Sequence, residues 1–174
     1  MYADEASVSV VPALTHTYAP RGKTPVITTS TEINLRLYMA SAISASGKIR
    51  YLIRNQPFDS KAVIEFLEYL RVSFRRKLLI IWDGASIHDS REVKAYLDSK
   101  KNREFYLVMQ PHYSPELNAD EQVWNYLKGY QLKNTCHPTV KQLKEKITAV
   151  MEGLKQQPSL IRQFFHHPKL GYYN

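Results

Sequence analysis

The chain has 174 residues, 44% apolar and 23% charged, which suits one globular domain large enough to bury a core. Its 24 Lys and Arg against 16 Asp and Glu leave a formal charge of +8, a balance that favours polyanionic partners without establishing nucleic-acid binding by itself. No stretch approaches the roughly 18 apolar residues of a membrane span, Met1-Tyr2-Ala3-Asp4 lacks the regions of a signal peptide, and the lone Cys136 excludes an intrachain disulfide, so a soluble, cytoplasmic protein is expected.

Taken in chain order, the β-branched run Ala6 to Val11 and the extended piece Thr15 to Ala19 predict an opening hairpin around Pro12. Pro20-Arg21-Gly22-Lys23-Thr24-Pro25 predicts a turn, because both prolines lack a donor and Gly22 tolerates positive φ. Leu35, Leu37 and Met39 alternate with polar or small residues, as do Ile49, Tyr51 and Ile53 after Ser46-Gly47, which predicts two more antiparallel strands. Beyond Pro57 the period changes. Val63, Ile64, Phe66, Leu67, Leu70 and Phe74 recur at helical spacing, with Asp59 or Ser60 as N-cap.

Leu78 to Trp82 is an unbroken apolar run of the kind that forms a strand buried on both faces. Asp89-Ser90-Arg91-Glu92 has capping-box spacing for a second helix, and Phe105 to Met109 repeats the strand signature, completing a βαβ unit. Leu117, Val123, Trp124 and Leu127 then line one side of a helix. Thr139 starts another that carries Leu143, Ile147, Val150 and Leu154, and Ser159 to Phe165 predicts a last short one. With no repeat or long linker, a single domain spanning residues 1–174 is expected. Antiparallel strands, an α/β crossover and C-terminal helices are the element order of an α/β, ribonuclease H-like mixed sheet with flanking helices.

Three acids stand out by position. Asp4 lies on the first strand, Asp83 ends the apolar run Leu78 to Trp82, where sites form in α/β sheets, and Glu121 lies on the helix after Pro115. Their convergence needs a cation, since two unit charges about 4 Å apart repel by roughly 4 kcal/mol at an effective dielectric near 20. Hard oxygen ligands without a Cys or His cluster favour Mg2+ or Mn2+, two of which clamp the attacking and leaving oxygens of a phosphodiester. The plainer alternatives are that Asp83 caps the next helix and that Glu121 complements a helix dipole. Cys136 beside His137 makes a poor zinc site and reads as structural or incidental.

Tyr2-Ala3-Asp4-Glu5, Trp82-Asp83-Gly84-Ala85-Ser86-Ile87-His88 and Tyr113-Ser114-Pro115-Glu116-Leu117-Asn118-Ala119-Asp120-Glu121-Gln122-Val123-Trp124 closely resemble three blocks of the mariner superfamily of DDE transposases, in the family's order. Tyr18-Ala19-Pro20-Arg21-Gly22-Lys23-Thr24-Pro25 resembles a further block of the bacterial insertion-sequence branch, so the resemblance covers nearly the whole chain. It implies a retroviral integrase-like domain in which Asp4, Asp83 and Glu121 are the catalytic, metal-binding residues. The implied reaction is cleavage at transposon ends, then attack of the freed 3′ hydroxyl on target DNA, usually at a TA dinucleotide. A bacterial, nucleoid-associated location and a homo-oligomer working on DNA follow from the same resemblance.

Gly84 stands where the family commonly has Asn, and Ala119-Asp120 replaces its usual Pro-Ile, which puts a second carboxylate next to Glu121. Adjacent helical positions point about 100° apart, so only one of Asp120 and Glu121 faces a metal well, and the following Val-Trp register selects Glu121. Glu5 and Glu116 are poorer candidates. His88 either orients a phosphate, shuttles a proton or hydrogen-bonds its loop; Lys128 either meets a DNA phosphate or is solvated. Arg21, Lys23 and the run Arg71 to Lys77 are further candidates for phosphate contacts, whereas Trp124 reads as core packing.

Relatives carry a helix-turn-helix module for end recognition ahead of this domain. Asp4 lies close to the start here, so that module is expected to be absent, with the chain a frameshift product, a truncated remnant or an excised domain. The rival functions are a decayed or co-opted DNA-binding or assembly protein of the same fold, and a simple nuclease.

Overall fold

The alternating segments of the first third assemble as an antiparallel meander: β1 (Tyr2–Ser9) pairs with β2 (Arg36–Ile43), which pairs with β3 (Ile49–Arg54). The computed structural model describes residues 1–11, 18–23, 35–99, 105–111 and 114–166. The expected opening hairpin is corrected: β1 pairs with β2, with Val8 opposite Leu37, and most of the proposed return strand Thr15 to Ala19 lies outside the described residues. β1 also starts before the β-branched run, because Tyr2 and Ala3 find burial in two different cores.

The turn between β2 and β3 centres on Gly47, whose φ of 84° is left-handed. A Cβ there would stand 2.5 Å from the carbonyl oxygen of Pro158, so glycine is required by both conformation and close approach.

Helix α1 (Ser60–Phe74) is capped by Asp59, whose carboxylate accepts the Ala62 N–H at 2.8 Å, and it buries Ala62, Val63, Phe66, Leu67 and Leu70. It ends at Arg75, which adopts a left-handed φ of 49°. Strand β4 (Leu78–Trp82) follows, then α2 (Arg91–Asp98), then β5 (Phe105–Met109) parallel to β4. The α2 cap is Ser90, one residue later than the capping-box spacing suggests, because Asp89 is drawn to Lys94 at 2.7 Å while the Ser90 hydroxyl accepts the Val93 N–H.

The sheet order is β3-β2-β1-β4-β5, antiparallel on one side and parallel on the other. Alternation along the strands then separates two cores. Ala3, Leu78, Ile80 and Trp82 face α1 and α2, whereas Tyr2, Leu37, Met39 and Ile43 face the C-terminal helices. The expectation that Leu78 to Trp82 is buried on both faces does not hold: Leu79 is 51% exposed, and on β5 Tyr106 and Val108 are 57% and 47% exposed. The C-terminal layer sits over β2 and β3 rather than over this end of the sheet.

That layer begins with a single 3-10 turn at Pro115–Leu117, so Leu117 precedes the helix expected to contain it. Helix α3 (Glu121–Trp124) continues as a π-helix over Asn125–Gln131, followed by α4 (Val140–Lys155), capped by Thr139, and α5 (Pro158–Phe164). No helix among the described residues is long and apolar enough to cross a membrane.

Candidate active site

Register brings the first two acids together. Tyr2 on β1 is level with Ile81 on β4 in the parallel pair, so Asp4 is level with Asp83, two residues further along each chain. Tyr2 and Ile81 both face the C-terminal helices, and the period of two puts Asp4 on that face as well. Glu121 arrives from that layer as the first residue of α3. Asp4, Asp83 and Glu121 line one cleft of about 340 Å3, with Gly84, Gln110 and Asn118 among its other walls.

Three contacts moor α3 to the sheet. Asn118 donates its side-chain amide to the Ala3 carbonyl at 3.0 Å, beside Asp4. Ser41, the β2 residue opposite Asp4, donates its hydroxyl to Asp120 at 2.5 Å. Trp124 donates its indole N–H to Asp4 Oδ2 at 2.8 Å. Trp124 is therefore buried, as core packing predicts, and also orients the first acid.

Burial is the main reason the Asp4 carboxyl is raised to about 7; the charges of Glu121 and Glu5 push the same way, and the Trp124 hydrogen bond only partly opposes them. Burial also raises Glu121, with Lys128 opposing and Asp83 adding to the rise. Lys128 is half-buried and lowered by desolvation, while the nearby Glu121 and Asp4 charges favour its cationic form. It thus stands beside the acids rather than in open solvent. Asp120 is fully buried, and desolvation raises it well above an ordinary carboxylate; its Oδ1 has no hydrogen-bond partner. It serves as an anchor to Ser41 and does not line the cleft, which supports the choice of Glu121 over Asp120.

A second group lies on the opposite face. Glu5 follows Asp4 by one residue and so points to the α1 side, where it accepts from the Trp82 indole N–H at 3.1 Å and from His88 Nε2 at 2.9 Å. His88 Nδ1 lies 2.8 Å from Asp83 Oδ1, and its ring stacks on Trp82 at 4.2 Å. The ligand atoms of Glu5, Asp83 and His88 all lie within 4.8 Å of one another, spacing that would also suit a metal. A protonated ring fits the same geometry. Burial lowers the His88 ring, but hydrogen bonds to Asp83 and Glu5 together with the Glu5 charge outweigh it and raise the ring to about 10. Both ring nitrogens are then donors, and an imidazolium holds the two carboxylates without offering a lone pair.

The acids of the cleft form an all-oxygen donor set that fits a hard divalent cation, and such an ion would offset both the burial that chiefly raises Asp4 and the smaller push from Glu121 and Glu5. Arg21 and Lys23 sit in an exposed turn closed by the Lys23 N–H to Pro20 carbonyl bond and are not among the residues lining the cleft. Reasoning from sequence missed the anchoring roles of Ser41 and Asn118 and the bond of Glu5 to His88; Asn118 and Glu5 lie inside the acidic blocks, whereas Ser41 is distant in sequence and meets Asp4 only through the β1–β2 register.

A 39 kDa protein of the insertion element IS630 from Shigella sonnei is 30% identical over 160 residues, covering 90% of this chain and 46% of that protein. The chain thus spans about half the length of the curated relative it matches. Among solved structures, the mariner Mos1 paired-end complex with Mg superposes with a TM-score of 0.69 at 14% identity, over 95% of this chain and 52% of the other. The Mos1 catalytic domain alone gives 0.62 at 10% identity, over 97% and 79%. These likenesses establish the ribonuclease H-like fold. The sequence model of the DDE superfamily endonucleases matches residues 1–144, a span that contains all three acids of the cleft, and the chain belongs to that family.

Proposed function

We propose that this chain is a transposase catalytic domain in which Asp4, Asp83 and Glu121 hold two Mg2+ or Mn2+ ions, cut DNA at transposon ends and join the freed 3′ hydroxyl to target DNA. The observation that carries this reading is the convergence of three carboxylates from β1, the end of β4 and the start of α3 on one cleft of a chain with formal charge +8. When bound, the ions neutralise the phosphodiester and lower the pKa of the attacking hydroxyl. The similar Mos1 structures include complexes with Mg, with Mn and with transposon-end DNA, and a strand transfer complex, which supports the same metals and polymer here.

The protein's own groups supply the positioning. The Trp124 N–H fixes one oxygen of Asp4 and leaves the carboxyl facing the cleft. His88 is a positioning residue that holds Asp83 Oδ1 from the opposite face of the sheet. Lys128, close to Glu121 and Asp4, would offer its cation to a non-bridging phosphate oxygen of DNA in the cleft. Recognition of specific ends by a separate or upstream helix-turn-helix module, and assembly of several copies on paired ends, complete the reading.

Nicking of supercoiled DNA in Mg2+ or Mn2+ tests it. Asp83→Asn is expected to cut at least about a hundredfold more slowly, ~2.7 kcal/mol of lost transition-state stabilisation, while keeping its fold. Equal rates would remove the enzymatic reading and leave a DNA-binding protein of the same fold. Strand transfer from a precut 3′ end separates a transposase from a simple nuclease, which cleaves without joining.

A further inference from the structure

Away from the cleft, basic side chains gather where the β2–β3 turn meets the end of α1. Lys48, Arg50 and Arg76 surround the ring of Phe74, with their charged groups 5.8, 5.1 and 5.9 Å from its centroid. Arg75 and Lys77 flank Arg76, both exposed, and Lys155 closes the far side of a groove of about 400 Å3 that also takes in Gly47 and Pro158. One acid stands close by. Glu152 accepts from Lys155 at 2.8 Å and from the Tyr51 hydroxyl at 2.7 Å, and it lies within electrostatic reach of Arg50.

Part of this clustering has a local cause, because the C-terminal end of a helix attracts cations. That accounts for Arg75, Arg76 and Lys77 but not for Lys48 and Arg50, which come from a different element and face the same ring. The turn that carries Lys48 is held in place. Its backbone closes between Ser44 and Lys48, Ser44 Oγ accepts the Lys48 N–H at 3.1 Å, and Gly47 lies against Pro158 too closely for any side chain. Lys48, Arg50, Arg76 and Lys155, with Glu152 partly offsetting them, form a convergence of like charges shaped for a polyanion.

We infer that this groove is a second DNA-binding surface, one that grips the phosphodiester backbone of a duplex without reading its sequence. It is not a wall of the catalytic cleft. None of the residues lining the groove lines the cleft, and Phe74, which its cations surround, packs against the core on the α1 side, whereas Asp4 faces the C-terminal layer. The inference does not depend on catalysis, since the groove binds a duplex whether or not the cleft cuts it.

Fluorescence anisotropy of a labelled random-sequence duplex with the intact chain in chelator, over a range of salt, tests the assignment apart from any metal chemistry. Lys48→Glu with Arg76→Glu is compared with Lys141→Glu with Lys144→Glu, two exposed lysines of α4 that give the same change in net charge. The groove pair is expected to weaken binding about tenfold or more and to flatten the log–log salt slope by about two, and the α4 pair to do distinctly less. Lys48→Gln with Arg76→Gln, a milder change, guards against misfolding of the reversed pair and is expected to weaken binding in the same direction. Losses from the groove pair no greater than those from the α4 pair, in folded protein, overturn the inference.

Discussion

The indole N–H of Trp124 turns a core side chain into part of the site, because its 2.8 Å bond to Asp4 favours the charged carboxylate that burial opposes. Trp124→Phe keeps the ring and removes the donor. It is expected to lower Mn2+ affinity at neutral pH severalfold and stability by ~1–2 kcal/mol, read by calorimetric titration and thermal melting. Unchanged metal affinity would assign Trp124 to packing alone. Sequence pattern shows the apolar stripe that contains Trp124 but not the direction of its N–H, which depends on how α3 crosses β1. The same holds for His88, whose hydrogen bonding to the loop is legible from its place before α2, whereas its bond to Glu5 needs the folded sheet.

Protonation at the residue scale has a direct readout. Asp4, raised to about 7 chiefly by burial, keeps a proton in the folded protein that the unfolded chain releases near pH 4. Its contribution to stability therefore falls as pH rises between those values. His88, raised to about 10 as its two carboxylate partners outweigh burial, has the same sign over a higher window: its stabilisation is complete below about 6.5 and lost as pH rises through 10. A divalent ion held in the proposed site would displace the proton from Asp4. The rise in Tm caused by Mg2+ is accordingly expected to be larger at about pH 8 than at about pH 5.5; a rise independent of pH would place the ion away from Asp4.

At the scale of elements, α3 is only four α-helical residues before it widens into a π-helix, too short to hold Glu121 in place by helix propensity. Its moorings are Asn118 on Ala3, Ser41 on Asp120 and Trp124 on Asp4. Ser41→Ala removes the hydrogen bond to Oδ2 of the fully buried Asp120, whose Oδ1 already has no partner. It is expected to cost ~1–3 kcal/mol of stability and to slow nicking through the position of Glu121. Denaturant melts beside the nicking assay check both effects. Strands β2 and β3 and helices α1 and α4 were legible from apolar periods that span whole elements, β4 and β5 from short apolar runs, and α2 from the capping residues at its start. The partner of β1 was not, since a long-range pairing leaves no mark in local alternation, nor was the late start of α3 behind its 3-10 turn.

For the molecule as a whole, the parallel register of β1 with β4 and the alternation of side chains divide the acids between two faces. Asp4 and Glu121 meet over the C-terminal layer, Glu5 and His88 lie on the α1 side, and Asp83 at the strand end touches both groups. That Asp4, Asp83 and Glu121 could converge was legible from their places on a strand, at a strand end and on a later helix, while their selection rested on the resemblance of the blocks around them. The competing cluster was not, because its members become neighbours only through the sheet. Anomalous scattering from crystals of the protein grown with Mn2+ decides between the two groups. The account predicts manganese in the cleft, bracketed by Asp4, Asp83 and Glu121, with His88 still bonded to Glu5; manganese held instead by Glu5, Asp83 and His88, with none beside Asp4, would contradict it.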